Sequence, residues 1–174
     1  MEVIKIAVLI ERTWAMPNKW TFTIKPIKEL LDQEFTNGIW ADPFAGKNSP
    51  ATITNDLNPK MPTTYHMDAL EFMRKFDTNS IDGVLFDPPY SSRQVKECYE
   101  GFGSGKLWDG RTSFWSDIKN EIAGVVKPNG KVICFGWNSG GCGMSRGFTL
   151  KRILLVPHGS TRNDTICTVE IKNE

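Results

Sequence analysis

Four short apolar or β-rich runs in this chain each stop at an aspartate. Gly38-Ile39-Trp40-Ala41 runs into Asp42, and Ala51-Thr52-Ile53-Thr54 stops at Asn55-Asp56. A run around Thr64-Tyr65-His66-Met67 meets Asp68, and the buried-type run over 81–86 ends at Asp87. Helical stretches are interleaved with them, which predicts an α/β domain with a mostly parallel sheet. In open sheets of this kind a ligand lies beyond the carboxyl ends of the strands, where strand order reverses. One aspartate at a strand end has an ordinary use as a helix cap. Four in succession are hard to account for as packing and predict a site.

The remaining elements complete one domain over residues 1–174. Pro26 opens a helix where its missing N–H costs nothing, Ile27, Leu30 and Leu31 line one face to about Phe35, and Asn37-Gly38 ends it. Asp68 caps a helix through Phe76. Residues 114–126 read as an amphipathic helix stopped by Lys127-Pro128-Asn129-Gly130, before a buried strand over 131–136. Runs at 148–156 and 165–171, joined through Pro157-His158-Gly159-Ser160, predict an antiparallel hairpin at one edge. The polar, glycine-rich stretch 91–111 reads as a short helix and then a mobile substrate or lid loop.

Charge and cysteine usage exclude some classes. With 21 Lys and Arg against 20 Asp and Glu, the net charge of +1 gives no global attraction to nucleic acid, so any polyanion contact comes from a local patch or a partner. Cys98, Cys134, Cys142 and Cys167 are scattered without a C-x-x-C pair. They read as reduced thiols of a cytoplasmic protein. A zinc site on Cys142, His158 and Cys167 is the lesser reading, and no metal is expected. The opening run over 3–10 is too short to span a bilayer and reads as a strand or an N-terminal arm, so no membrane association is expected.

Asp87-Pro88-Pro89-Tyr90 carries the sharpest chemical content. Here the chain resembles the S-adenosylmethionine-dependent amino-methyltransferases that modify adenine or cytosine in DNA. In that family an Asp/Asn/Ser-Pro-Pro-aromatic tetrapeptide follows the fourth strand. More narrowly, the chain is similar to the small adenine methyltransferases encoded in phages and prophages of bacteria. The chemistry accounts for the residue types. An aromatic amino group is a poor nucleophile because its lone pair is delocalised into the ring. Acceptors at its two hydrogens, from Asp87 and the Pro88 carbonyl, favour a pyramidal nitrogen that can attack the sulfonium methyl in line. The prolines stiffen the turn that holds those acceptors. Tyr90 offers a face for a base removed from the stack; stacking is worth roughly 1–3 kcal/mol, against a few kcal/mol for extrusion.

The same resemblance assigns a cofactor site. Asp42-Pro43-Phe44-Ala45-Gly46 matches the family's Asp-Pro-Phe-x-Gly turn, which implies that Phe44 and the turn at Gly46 line the methionine end of S-adenosylmethionine, with Asp42 close to its positive charge. Asp56 matches the acid that accepts from the ribose hydroxyls, with Leu57 against the adenine face. Asp68, followed by Ala69, matches the acid that accepts from the cofactor's adenine amino group. Thr21-Phe22-Thr23-Ile24-Lys25-Pro26 resembles the segment beside the methionine moiety. The resulting expectation is a Rossmann-like S-adenosylmethionine-dependent methyltransferase fold with an antiparallel carboxyl-terminal edge hairpin.

Two departures stand out. Only residues 47–55 separate Gly46 from Asp56, so the helix after the first of these strands is shortened or missing, and Lys47-Asn48-Ser49-Pro50 replaces the family's second glycine. A target-recognition domain of the usual size is also lacking. In its place the stretch 91–111 offers Arg93, Lys96, Lys106 and Arg111 with Tyr99, Phe102 and Trp108 among them, a mixture that suits a polynucleotide strand. Glu97, Glu100 and Asp109 dilute that charge, and a solvated lid over the cofactor is the equal alternative. His66 and His158 read as structural. The expected function is methyl transfer to the exocyclic amino group of adenine in DNA, with a homodimer or a partner protein supplying DNA recognition. RNA, cytosine-amino methylation and a non-catalytic cofactor or nucleic-acid module are the alternatives.

Overall fold

The computed structural model describes residues 7–102 and 110–174. Lys106, Trp108 and Asp109, offered above as substrate-loop residues, lie outside the described residues.

Seven strands form one sheet: β1 (Leu9–Arg12), β2 (Trp40–Asp42), β3 (Ile53–Thr54), β4 (Ile81–Phe86), β5 (Val126–Gly136), β6 (Phe148–Val156) and β7 (Thr165–Lys172). Their order is β1-β6-β7-β5-β4-β2-β3. β7 runs antiparallel to both β5 and β6, and every other pairing is parallel. From β2 the chain moves outward to β3, then returns to place β4 on β2's other side, with Ala41 beside Val84. That reversal puts the carboxyl ends of β2 and β4, and therefore Asp42 and Asp87, around one crevice.

The β4 run is buried on both faces, as a central parallel strand requires. Val84 and Phe86 enter one core with Phe72, Phe114, Ile118 and Ile122. Leu85 enters the other with Ile27, Leu30, Trp40, Ile133 and Phe135. The first core is covered by helices α2 (Ala69–Met73) and α4 (Phe114–Val125), the second by α1 (Lys25–Glu34). Gly83 lets the Trp40 ring lie flat on β4; a Cβ there would meet it at 2.5 Å. α1 has Pro26 in its first turn and buries Ile27, Leu30 and Leu31, as its spacing dictates. Helix α3 (Ser92–Phe102) buries Val95 and leaves most of its surface to solvent.

Several expectations are corrected. The run around Tyr65 makes one parallel bridge, Asn55 to Tyr65, and no strand. Two residues on, the Met67 N–H turns away to the Asn55 side chain at 3.0 Å, and α2 begins at Ala69. α2 stops at Met73 and not at Phe76, and α1 closes at Phe35, whose N–H bonds Leu31 O, before Asn37-Gly38 is reached. Lys127-Pro128-Asn129-Gly130 does not stand between helix and strand. β5 starts at Val126 and carries these residues as an irregularity, with Asn129 at φ 64° and a register shift against β4. As the short spacing from Gly46 to Asp56 implies, no helix forms between β2 and β3. Among the described residues no helix is long and apolar enough to cross a membrane.

Candidate active site

Beyond the carboxyl ends of β2, β3 and β4 lies a cavity of about 560 Å3, within the usual range for small-molecule and cofactor sites. Its walls bring together the turn after β2 (Pro43, Phe44, Gly46), the turn after β3 (Asp56, Leu57), the start of α2 (Asp68, Ala69) and the tetrapeptide Asp87 to Tyr90. Trp20 and Thr21 close it from the amino-terminal side, and Cys98, Tyr99 and Phe102 of α3 from above. A second cavity, of about 310 Å3, opens on the other side of the tetrapeptide and shares Pro88 and Tyr90 with the first. Phe86, Trp115, Lys119, Phe135 and Trp137 are among its walls.

Hydrogen bonds explain how the turns are held. Asp42 is fully buried; its carboxylate accepts from the Phe44 N–H at 2.9 Å and the Ser49 hydroxyl at 2.6 Å. Ser49 therefore closes the loop where a helix was missing. Asp56 accepts from the N–H groups of Gly46 at 3.0 Å and Asn58 at 2.8 Å, joining the turns after β2 and β3. Asp68 caps α2 through Leu70 at 2.9 Å and Glu71 at 3.2 Å, and its other oxygen takes the Tyr99 hydroxyl from α3. At the centre is Asn55, fully buried, whose amide donates to Pro43 O at 3.1 Å and Met67 O at 3.0 Å and accepts from Met67 N–H.

The tetrapeptide is fixed with equal care. The Tyr90 hydroxyl donates to Asp87, the Tyr90 N–H to Gln94 at 2.8 Å, and the Trp115 indole to Pro89 O at 2.8 Å. Asp87 is half-buried at the cavity wall, and desolvation pushes its carboxyl above the ordinary range against the pull of the Thr21 and Tyr90 hydroxyls. The Tyr90 phenol is pushed up too, first by burial and then by the Asp87 charge. Burial raises Asp42 to about 7, opposed by Ser49 and Phe44 and assisted by the charges of Asp87 and Asp56.

No protein-family model matches the chain, and no curated protein matches it in sequence. Solved structures do match in shape. TrmN from Thermus thermophilus superposes with a TM-score of 0.58 at 17% identity, over 86% of this chain. This chain spans 49% of TrmN's length. N-methyltransferase NodS from Bradyrhizobium japonicum gives 0.55 at 9% identity, over 86% of this chain and 96% of that one. A Burkholderia thailandensis 1,6-didemethyltoxoflavin-N1-methyltransferase, solved with bound 1,6-didemethyltoxoflavin and S-adenosylhomocysteine, gives 0.55 at 11% identity, over 84% of this chain and 76% of that one. The chain has the Rossmann-like methyltransferase fold. Within that fold the sheet carries the antiparallel β6–β7 hairpin at one side, with β1 added beyond it.

Of the residues singled out from the sequence, this methyltransferase fold gathers Pro43, Phe44, Gly46, Asp56, Leu57, Asp68, Ala69 and Asp87 to Tyr90 around the larger cavity. Asp42 and Ala45 are buried and do not line the cavity, and the two hydrogen bonds of Asp42 hold the turn behind it. Arg93 and Lys96 lie on α3 outside both cavities, each in an i, i+4 pair, with Glu97 at 2.8 Å and Glu100 at 3.6 Å. Arg111 lies with its guanidinium 6.0 Å from the Phe114 ring centroid. His66 is exposed beside Thr63, and buried His158 spends both ring nitrogens on Ala15 O and Thr165, each at 2.8 Å. Among the described residues no group of three or more His, Cys, Asp or Glu could hold a metal. Asn55, Trp115, Lys119 and Trp137 also stand at these turns and walls with no motif to mark them. An aromatic three residues before α4's Ile118, and another just past the end of β5, are the only traces they leave in the sequence.

The raised Asp42 sets a pH dependence. The folded protein holds the Asp42 proton to about 7, whereas the unfolded chain releases it near the ordinary aspartate value of about 4. Between those values the native state binds more protons, so stability falls as pH rises. Asp87 adds to the same slope. Asp42→Asn keeps an acceptor for Phe44 and is expected to flatten this decline in denaturation midpoints measured from pH 4 to 8. An unchanged slope would contradict the assignment.

Proposed function

We propose that this protein transfers a methyl group from S-adenosylmethionine to the exocyclic amino group of adenine in DNA. The observation that carries this reading is the pair of cavities meeting at Pro88 and Tyr90, one sized for a cofactor and one for a flat ring. The residues of the larger cavity suit the cofactor. Asp56 and Asp68 present carboxylate oxygens to hydroxyl and amino donors, while Leu57, Met61 and Met67 supply apolar surface for an aromatic ring. When bound, the cofactor supplies a methyl group on a positively charged sulfur.

The chain's own work is orientation and proton handling. Asp87 and the Pro88 carbonyl accept from the two amino hydrogens and draw the nitrogen lone pair toward the larger cavity. Trp115 and Gln94 keep that turn from relaxing, so the acceptors are in place before reaction. The amino proton leaves after transfer. Asp87, whose carboxyl is raised by burial, stands where it can take it. Tyr90 and Trp137, with ring centroids 5.4 Å apart and edge to face, offer the acceptor ring aromatic surface. The described cations of α3, Arg93 and Lys96, are exposed, but each is paired with an acid of its own helix. Their charge is locally balanced, and a second copy or a partner adds grip on the DNA backbone.

Asp56→Ala separates cofactor binding from chemistry. Loss of a charge-assisted hydrogen bond of about 1.5–3 kcal/mol is expected to weaken S-adenosylhomocysteine binding roughly 10- to 100-fold in calorimetry. Unchanged affinity would remove Asp56 from the site.

A further inference from the structure

The smaller cavity carries a cation that the transfer chemistry leaves unused. Trp115 and Lys119 are four residues apart on α4 and share one flank of it, and both line the cavity. Lys119 is half-buried. Its Nζ donates to the Gly141 carbonyl at 2.5 Å and lies 5.9 Å from the centroid of the Phe86 ring. An ammonium has three donors, and the face of Phe86 favours its charge without taking a conventional hydrogen bond. Two donors remain after the Gly141 bond, and Lys119 lines the cavity, where leaving them unused is costly once water is displaced.

The wall behind Lys119 is rigid. Gly141 sits at φ +54°, and a Cβ there would meet the Glu170 carboxylate at 2.4 Å. Glu170, buried on β7, accepts from Cys142 N–H at 2.5 Å and Gly143 N–H at 2.9 Å. Arg146 fastens the same loop to α4 through Asn120 at 2.7 Å and Ser116 at 2.9 Å. The Gly141 carbonyl and the ammonium it orients are thus held against both the helix and the sheet.

Tyr90, Trp115 and Trp137 give the cavity aromatic walls, and Lys119 and Asn138 are polar side chains among its other lining residues. Aromatic surfaces hold a flat ring but tolerate rotation in its plane, because every base has a π-face. A hydrogen bond at the ring edge fixes that rotation and rejects rings that cannot make it. Given methyl transfer at this site, a reading on which the assignment rests, we propose that Lys119 is a specificity-determining residue. Its ammonium donates to a ring nitrogen or carbonyl oxygen at the edge of the heteroaromatic amine whose amino group faces Asp87 and Pro88.

The test compares single-stranded oligonucleotides carrying one adenine, 1-deazaadenine, 3-deazaadenine or 7-deazaadenine, with wild-type protein and Lys119→Met. Wild-type kcat/KM is expected to fall 10- to 100-fold on one of the three analogues. Lys119→Met should methylate adenine as slowly as the wild type methylates that analogue and no longer distinguish the two. Its S-adenosylhomocysteine affinity should stay within about twofold of wild type, as expected of a residue outside the cofactor cavity. Lys119→Gln, which keeps a neutral donor, should restore part of the discrimination. Wild-type indifference to all three ring changes, or full discrimination surviving in Lys119→Met, overturns the role of Lys119 alone. Absence of transfer from cofactor-loaded wild type to every oligonucleotide overturns the reading of DNA adenine as the substrate, and this role with it.

Discussion

Asp87→Ala is expected to lower kcat for methyl transfer by about 10^2- to 10^3-fold while leaving the protein folded and able to bind S-adenosylhomocysteine. A preorganised acceptor at the reacting group contributes on the order of 3–4 kcal/mol to the transition state. The second half of the expectation follows from burial. The Asp87 carboxyl is desolvated and its ionisation disfavoured, so its removal relieves a cost. The melting temperature at neutral pH should therefore hold or rise, the usual sign of stability exchanged for activity. The Tyr90 hydroxyl loses its acceptor, but Tyr90 lines both cavities, from which water can replace it. Asp87→Asn keeps one carbonyl acceptor and should retain more activity than the alanine variant. Full transfer by a folded Asp87→Ala protein would remove Asp87 from the mechanism.

Asn55→Ala is expected to cost about 3 kcal/mol of stability and to weaken cofactor binding as well. The side chain makes three hydrogen bonds, a buried one to Pro43 O and half-buried ones to Met67 O and Met67 N–H, and each partner left alone costs on the order of 1 kcal/mol. These bonds hold the turn carrying Phe44 to the segment leading into Asp68, two walls of the larger cavity. Asn55→Asp should be no better, because a carboxylate would face the carbonyls of Pro43 and Met67. Urea denaturation followed by calorimetry reads both effects, and a midpoint and affinity equal to wild type would contradict them.

The parts of the fold that were readable came from apolar runs long enough to set a period. The buried run of β4, the one-sided face of α1 and the β6–β7 hairpin each follow from local pattern alone. The errors lie where a distant partner decides. The run around Tyr65 has strand composition, but a buried amide twelve residues away takes the Met67 N–H and stops the ladder. Lys127-Pro128-Asn129-Gly130 has turn composition, yet pairing with β4 carries the strand through it. The site divides in the same way. Its acids stand in the sequence beside prolines and glycines, where the chemistry shows, and the fold draws them to one cavity. Asn55 looks like an ordinary turn residue, and Lys119 like the solvated side of an amphipathic helix. Their roles arise only when Pro43, Met67 and Gly141 arrive beside them. Asp42 shows the converse: its motif suggests contact with a ligand, and its two hydrogen bonds commit it to the turn.

The most direct test of methyl transfer to adenine is incubation with labelled S-adenosylmethionine and unmethylated genomic DNA, followed by nucleoside mass spectrometry. Adenine carrying the label on its amino nitrogen, absent with Asp87→Ala, is the expected result. No labelled base in DNA, from protein shown by calorimetry to bind the cofactor, would contradict it.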